Sequence, residues 1–244
     1  MLGDVEYVEA EYLHALSPSE RAGFRGDADS WRRRITPTAY CSHTVAPIMR
    51  ITGARPAAVA GFLVPKAGSG DGAASTAAAL LVVRMDDGTV AKALHGFLQG
   101  EPRSGWSRLR VHGSHGYAAN DAGGDGGDGD WSVRLEAPAW ASADHTRSDT
   151  LVPADRAGIP TGVTPADEGD YLVCAQFLRS IRGEAPPLFG AADAVDVSLV
   201  GMYAALSIEA GGTSVDIPDL RDPILRAAQA DRHHPSLTTT TPPR

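Results

Sequence analysis

Residues 77–85 and 89–98, two largely apolar runs on either side of Asp87-Gly88, constrain the fold more than any other part of the chain. An Asp-Gly pair supplies the positive φ angles that a tight turn between right-twisted strands needs, so the two runs predict an antiparallel hairpin. Their outward-facing positions are apolar too, which predicts that another subunit or domain covers that face. A homo-oligomer built through the open sheet is therefore expected.

Other segments extend the pattern. Residues 3–14 read as a long strand, with Val5, Tyr7 and Leu13 on one parity and Val8, Ala10 and Tyr12 on the other, so both faces are partly covered. Residues 57–64, 108–112, 116–120 and 131–136 read as further strands joined by glycine-rich turns, and 213–217 as the last. Ser17-Pro18-Ser19-Glu20 has the form of a capping box and predicts a short helical turn. Two helices close the chain. One covers 167–182, with Tyr171, Cys174, Leu178 and Ile181 on one face and Gly183 as its cap. The other covers 191–210, with Val195, Leu199, Met202, Tyr203 and Leu206 in line, Met202 and Tyr203 being read as core. Strands first and helices last, with one helix inserted early, predict an α+β fold: an open, mainly antiparallel or mixed sheet with helices packed on one face. A single domain is expected over residues 1–235, and the threonine- and proline-rich tail at 236–244 is expected to be disordered.

Bulk properties narrow the function. The formal net charge of -8 argues against nucleic acid, and the Arg32-Arg33-Arg34 run reads as solvated or substrate-facing. No membrane span and no secretory signal peptide are expected. Cys41 and Cys174 lie in unrelated segments, so a disulfide framework is unsupported and a reducing, cytoplasmic setting is the simpler reading.

Chemistry concentrates near His43. Val45, Ile48, Met49 and Thr52 recur at helical spacing, Gly53 stands where a left-handed cap belongs, and Arg50 lies in the last turn. Proline is tolerated in a first turn, so Pro47 predicts a helix that begins near Ser42 or Thr44, either one serving as N-cap. His43 then sits at the positive end of the dipole, where its ring stays neutral and accepts a proton. The plainer reading is a capping or half-buried histidine without chemistry. Other motifs fall away on spacing. The Asp- and Gly-rich run at 120–130 lacks the glutamate that closes a calcium loop. His112-x-x-His115 and Cys41-x-His43 each offer only half of a zinc site. Gly68-Ser-Gly-Asp-Gly72 lies between strands with no helix to lend its dipole; no G-x-G-x-x-G follows a strand and opens a helix, and neither a P-loop nor a serine-nucleophile elbow is present.

Glu11-Tyr12-Leu13-His14, Gly53-Ala54-Arg55-Pro56, the run from Phe177 to Pro187 and Asp216-Ile217-Pro218 together make the chain resemble, over residues 3–223, the C-terminal domain of the Gfo/Idh/MocA oxidoreductases. The resemblance implies an open-sheet domain that binds a sugar, cyclitol or related polyol and builds the oligomer. NAD or NADP belongs to an N-terminal Rossmann domain that this chain does not resemble, so no cofactor is expected to bind the chain alone. By the same resemblance His43 falls on the catalytic histidine, which with a lysine handles the hydroxyl proton while hydride passes to the nicotinamide. Tyr12, His14, Trp31, Arg32 and Asp170 are implied substrate contacts, and Tyr40 replaces an aspartate often found at the position of Ala39. The family's Glu-Lys-Pro lysine has no counterpart, since Lys66 and Lys92 lie in Pro-Lys-Ala and Ala-Lys-Ala. A His-Gly-Gly-x-Asp run common in relatives is reduced here to Gly169-Asp170. These features imply either one half of an oxidoreductase, whose Rossmann partner is a separate polypeptide or lies outside this sequence, or a noncatalytic dimerising or sugar-binding module. An NAD-dependent glycosidase, an activity of some family members, is a further alternative.

Overall fold

The structure, a computed structural model, describes residues 2–14, 17, 23, 29, 36–66, 76–98, 107–120, 131–136, 146–151, 158–164 and 167–233. Nine strands among these residues form one sheet. In chain order they are β1 (Val5–Leu13), β2 (Pro56–Pro65), β3 (Thr76–Met85), β4 (Val90–Gly96), β5 (Ser107–Gly113), β6 (Gly116–Ala119), β7 (Trp131–Glu136), β8 (Thr146–Leu151) and β9 (Val215–Asp216). Across the sheet they run β8-β7-β6-β5-β1-β4-β3-β2-β9. Only β1 and β4 pair in parallel; every other neighbour is antiparallel. Among the described residues the helices with defined bounds are α1 (Ser42–Thr52), α2 (Glu168–Ile181), α3 (Ala191–Glu209) and α4 (Pro223–His233), with a 3-10 turn at Pro37–Cys41 leading into α1. The fold is α+β, with an open, mostly antiparallel sheet and helices packed on it.

Alternation decides which face is core. Val8 and Ala10 of β1, Leu81, Val83 and Met85 of β3, and Ala91 and Ala93 of β4 turn inward, where they meet Val45 and Ile48 of α1 and Val197, Val200 and Ala204 of α3. The predicted hairpin is β3–β4, and its turn glycine, Gly88, has φ 94°. Behind the hairpin, α1 carries the chain from β1 to β2 over the core face, and the meander then returns β4 to the side of β1. Arg55 at the exit of α1 faces Asp86 and Asp219 at 3.7 Å each, and its guanidinium donates to the Pro56 carbonyl at 2.7 Å. Arg221 donates to Asp193 at 2.8 Å and to the buried Asp196 at 2.7 Å, tying the segment after β9 to α3.

Several expectations change. The inward face of α3 is Asp196, Val197, Leu199, Val200, Gly201, Ala204 and Ser207, whereas Met202, Leu206 and Val195 are exposed. The helix lies so close to the sheet and the 3-10 turn that its contact line takes small residues: a Cβ on Gly61 would stand 3.2 Å from the Ala204 carbonyl oxygen. Met202, read as core, therefore is not. Contrary to the expectation of no membrane span, α3 is long and apolar enough to cross a membrane. Here it packs on β2, and Ser207 on its inner side accepts the Gly61 N–H and donates to the Thr213 carbonyl. No residue of α2 is buried, so its apolar face is open. Strand β8 and helix α4 had no counterpart in the sequence reading, and the last strand shrinks from 213–217 to Val215–Asp216. The capping box at 17–20, the glycine-rich stretches at 68–72 and 121–130, and the tail at 236–244 lie wholly or mostly outside the described residues.

Candidate active site at the start of the first helix

The chain reaches His43 through an unbroken helical entry. Thr36 is extended and Pro37 opens the 3-10 turn; Cys41 at φ -57°, ψ -23° is already helical. Neither Ser42 nor Thr44 is therefore the N-cap, because the 3-10 turn already supplies helical conformation upstream of both. Thr44 instead donates its hydroxyl back to the Cys41 carbonyl at 3.0 Å. Pro47 falls inside the helix rather than in its first turn. Its missing N–H is the one that would have met the His43 carbonyl, so the helix gives up a bond at the residue that carries the site. The far end is as expected: Gly53 at φ 71° donates to the Met49 carbonyl.

His43 projects from the first turn of α1 and lies flat on Tyr12, with ring centroids 3.9 Å apart and planes 10° from parallel. Its outer surface stays exposed. Burial against Tyr12 lowers the imidazole pKa below its ordinary value, leaving a neutral ring at pH 7. Desolvation, and not the helix dipole, is what holds the ring neutral. Tyr12 is fixed from its other end, where its hydroxyl lies 3.0 Å from His14 Nε2, and burial raises its pKa. His14 is buried and its pKa is lowered by that burial and then by His43. Tyr40 and Phe97 complete the group: Tyr40 stands 6.1 Å from His43, 5.9 Å from His14 and 5.4 Å from Phe97 between ring centroids.

Four predicted residues, Tyr12, His14, Tyr40 and His43, thus converge. Asp170 is an exposed residue in the first turn of α2. Trp31 and Arg32 lie outside the described residues. Phe97 and His95 belong to this neighbourhood and were not anticipated. Tyr12 pairs with His95 in the parallel register of β1 and β4, and the His14 N–H donates to the Gly96 carbonyl at 2.8 Å. Extending the β4 alternation from Ala91 and Ala93 by one step would have placed His95 on the site's face.

The remaining candidates separate by face and burial. Lys92 points to the opposite side of the sheet, 3.4 Å from Glu11 and 3.7 Å from Glu9, so it cannot serve His43. His112 packs against Tyr7 and Tyr117. Among the described residues no three His, Cys, Asp or Glu side chains converge on a metal-sized site. The Cys41 thiol is buried, bonds to the Val197 carbonyl at 3.4 Å and has its pKa pushed up to about 11 by burial, which makes it a packing group. A dinucleotide pyrophosphate needs a glycine-rich strand-to-helix turn. The entry to α1 is Pro37-Thr-Ala-Tyr-Cys-Ser42, so the described residues around His43 do not fit that group.

No family model matches the sequence, and a search of curated proteins finds no match. Solved structures do match the fold, among them several oxidoreductases. Levoglucosan dehydrogenase in complex with NADH and levoglucosan is 18% identical with TM-score 0.64, the match covering 89% of this chain and 60% of that one. An oxidoreductase domain protein from Kribbella flavida is 18% identical over 89% of this chain and 60% of its own, with TM-score 0.63. UDP-N-acetylglucosamine 3-dehydrogenase from Acidithiobacillus ferrooxidans is 16% identical over 87% and 56%, with TM-score 0.56. The chain spans less than two thirds of these proteins' length. At such identities the likeness is one of fold.

Proposed function

We propose that this chain is the substrate-binding and oligomerising part of an NAD(P)-dependent oxidoreductase acting on a sugar, cyclitol or related polyol, and that it works with a Rossmann domain. The observation that carries the reading is the neutral His43 ring at the start of α1, held flat by Tyr12 and open on its other side. Such a ring is a competent acceptor for a substrate hydroxyl proton. Tyr12, His14 and Tyr40 are the proposed substrate contacts beside it. NAD or NADP supplies the hydride acceptor in a complete enzyme, and the pyrophosphate is held by the Rossmann domain, outside the residues described. A cytoplasmic setting goes with this reading.

Supplying a Rossmann domain and replacing His43→Asn should lower turnover by about 10²–10⁴-fold, the usual worth of a general base. The chain alone should show no stoichiometric micromolar binding of NADH or NADPH by calorimetry, and such binding would refute the proposal. A second reading, a noncatalytic dimerising or sugar-binding module, is favoured by Lys92 facing away from the site and by Ala39. It predicts that His43→Asn leaves ligand affinity and activity unchanged in the same assembly.

A further inference from the structure

One fully buried side chain beside the site has no part in the proton transfer just described. His95 of β4 has no solvent exposure and shares the inward face with Ala91 and Ala93. Its Nδ1 lies 3.1 Å from the hydroxyl of Thr44, which is itself fully buried. That hydroxyl is also 3.0 Å from the Cys41 carbonyl. The Thr44 hydroxyl donates to the Cys41 carbonyl, and in that arrangement Nδ1 carries the hydrogen that bridges to Thr44. In that tautomer Nε2 is a bare acceptor. Nε2 is buried and has no hydrogen-bond partner.

An unmet buried acceptor is destabilising, and a leucine or methionine would fill similar space without one. Packing alone therefore does not call for histidine at position 95. What histidine adds is the Nδ1–H aimed at Thr44, the residue directly after His43. His95 also stands beside Tyr12 in the β1–β4 register, and Tyr12 is the platform for the His43 ring. Both supports of His43, the first turn of α1 and the stacked tyrosine, thus adjoin one side chain.

We propose that His95 is a positioning residue for His43: by donating from Nδ1 to Thr44 Oγ1 it fastens the first turn of α1 onto β4 and keeps the His43 ring stacked on Tyr12. The assignment goes beyond the oxidoreductase reading and uses it only in giving His43 a chemical task. Among the described residues, the titratable groups that face this corner are Tyr12 and His14 at the end of β1, Tyr40 on the 3-10 turn, His43 on α1 and His95 on β4.

The test follows His43 by NMR in the full chain with isotope-labelled histidine, which requires neither turnover nor cofactor. His95→Asn places an amide N–H near the position of Nδ1 and removes Nε2. It should leave the His43 ring resonances and titration as in the unmodified chain. His95→Phe and Thr44→Val keep apolar bulk but break the bond. In both, the His43 resonances should lose the ring-current shift from Tyr12, and the His43 pKa should rise toward the ordinary 6.5. Thr44→Ser should restore both. If His95→Phe fails to fold, Thr44→Val against Thr44→Ser decides the matter alone. His43 signals that stay unchanged in the folded bond-breaking variants overturn the proposal, as does an Asn variant as disturbed as the Phe variant. With a Rossmann domain supplied, the bond-breaking variants should lose kcat and keep KM. A chain that shows the NMR effects but no turnover would count against the oxidoreductase reading while leaving the positioning role in place.

Discussion

At the scale of single residues, three imidazoles, those of His14, His43 and His95, crowd one corner of the sheet, and burial holds each below its ordinary pKa. His95 is the extreme case, pushed down to about 4 by desolvation and then by His43. The unfolded chain takes up a proton on this ring near pH 6.5 and the folded chain does not until about pH 4. Between those values the unfolded state binds more protons, so stability is fully present above pH 6.5 and is lost as pH falls toward 4. The gap corresponds to about 3 kcal/mol for this fully buried ring. Urea unfolding midpoints measured from pH 7 down to pH 4 should therefore decline, and His95→Asn should make that decline smaller. A decline of the same size in the variant would assign the acid sensitivity elsewhere. His43 was legible in the sequence because Gly53 and the helical spacing after it leave little choice of element. His95 was not, because a polar residue near a strand end reads equally well as facing solvent, and only the register with Tyr12 places it.

At the scale of elements, α3 decides how closely the site is held. A Cβ on Gly201 would lie 2.8 Å from the Thr38 carbonyl oxygen and 2.9 Å from Cys41 Sγ, both in the 3-10 turn that leads to His43. Alanine in place of helical glycine normally gains about 0.5–1 kcal/mol. Overpacking a close contact costs about 1–3 kcal/mol. The second effect wins here, since one of the opposing atoms is backbone and cannot swing aside. Gly201→Ala should thus lower stability, while Gly169→Ala in α2, where nothing lies within 4 Å, should be neutral or slightly stabilising. Thermal melts of the two variants test the contrast, and equal melting temperatures would show that the turn yields without cost. The same contact explains the misread face of α3. Apolar periodicity picks out Val195, Met202 and Leu206, but a line of close approach selects for small size, and Gly201, Ala204 and Ser207 carry no strong apolar signal. The strands were easier: Asp87-Gly88 fixes the hairpin, and alternation sorts its faces. Strand β8, Thr-Arg-Ser-Asp-Thr-Leu, has almost no apolar residues to alternate and was invisible for that reason.

At the scale of the whole molecule, the sheet keeps one face away from the helices, and register shows what it presents. One row across it is Ala60, Val82, Lys92, Glu9 and Arg110; the next is Phe62, Leu80, Leu94, Glu11 and Arg108. The charged half is internally satisfied, with Glu9 3.1 Å from Arg110 and 3.7 Å from Lys92. The apolar half is not covered: Phe62 is 50% exposed and Val82 43%. Paired charges beside an open apolar strip suit an isologous contact, in which the strip of one chain meets that of another and the charge ladder lies at its margin. We therefore expect a homo-oligomer through this face. Val82→Glu would bring a carboxylate into the centre of that contact, where it has no partner and must be desolvated. The variant should shift the chain toward a monomer of 25.5 kDa in light scattering at micromolar concentration, with its far-ultraviolet circular dichroism unchanged. An unmodified chain that already scatters as a monomer would remove the expectation, because the strip would then tolerate water without help from a second copy.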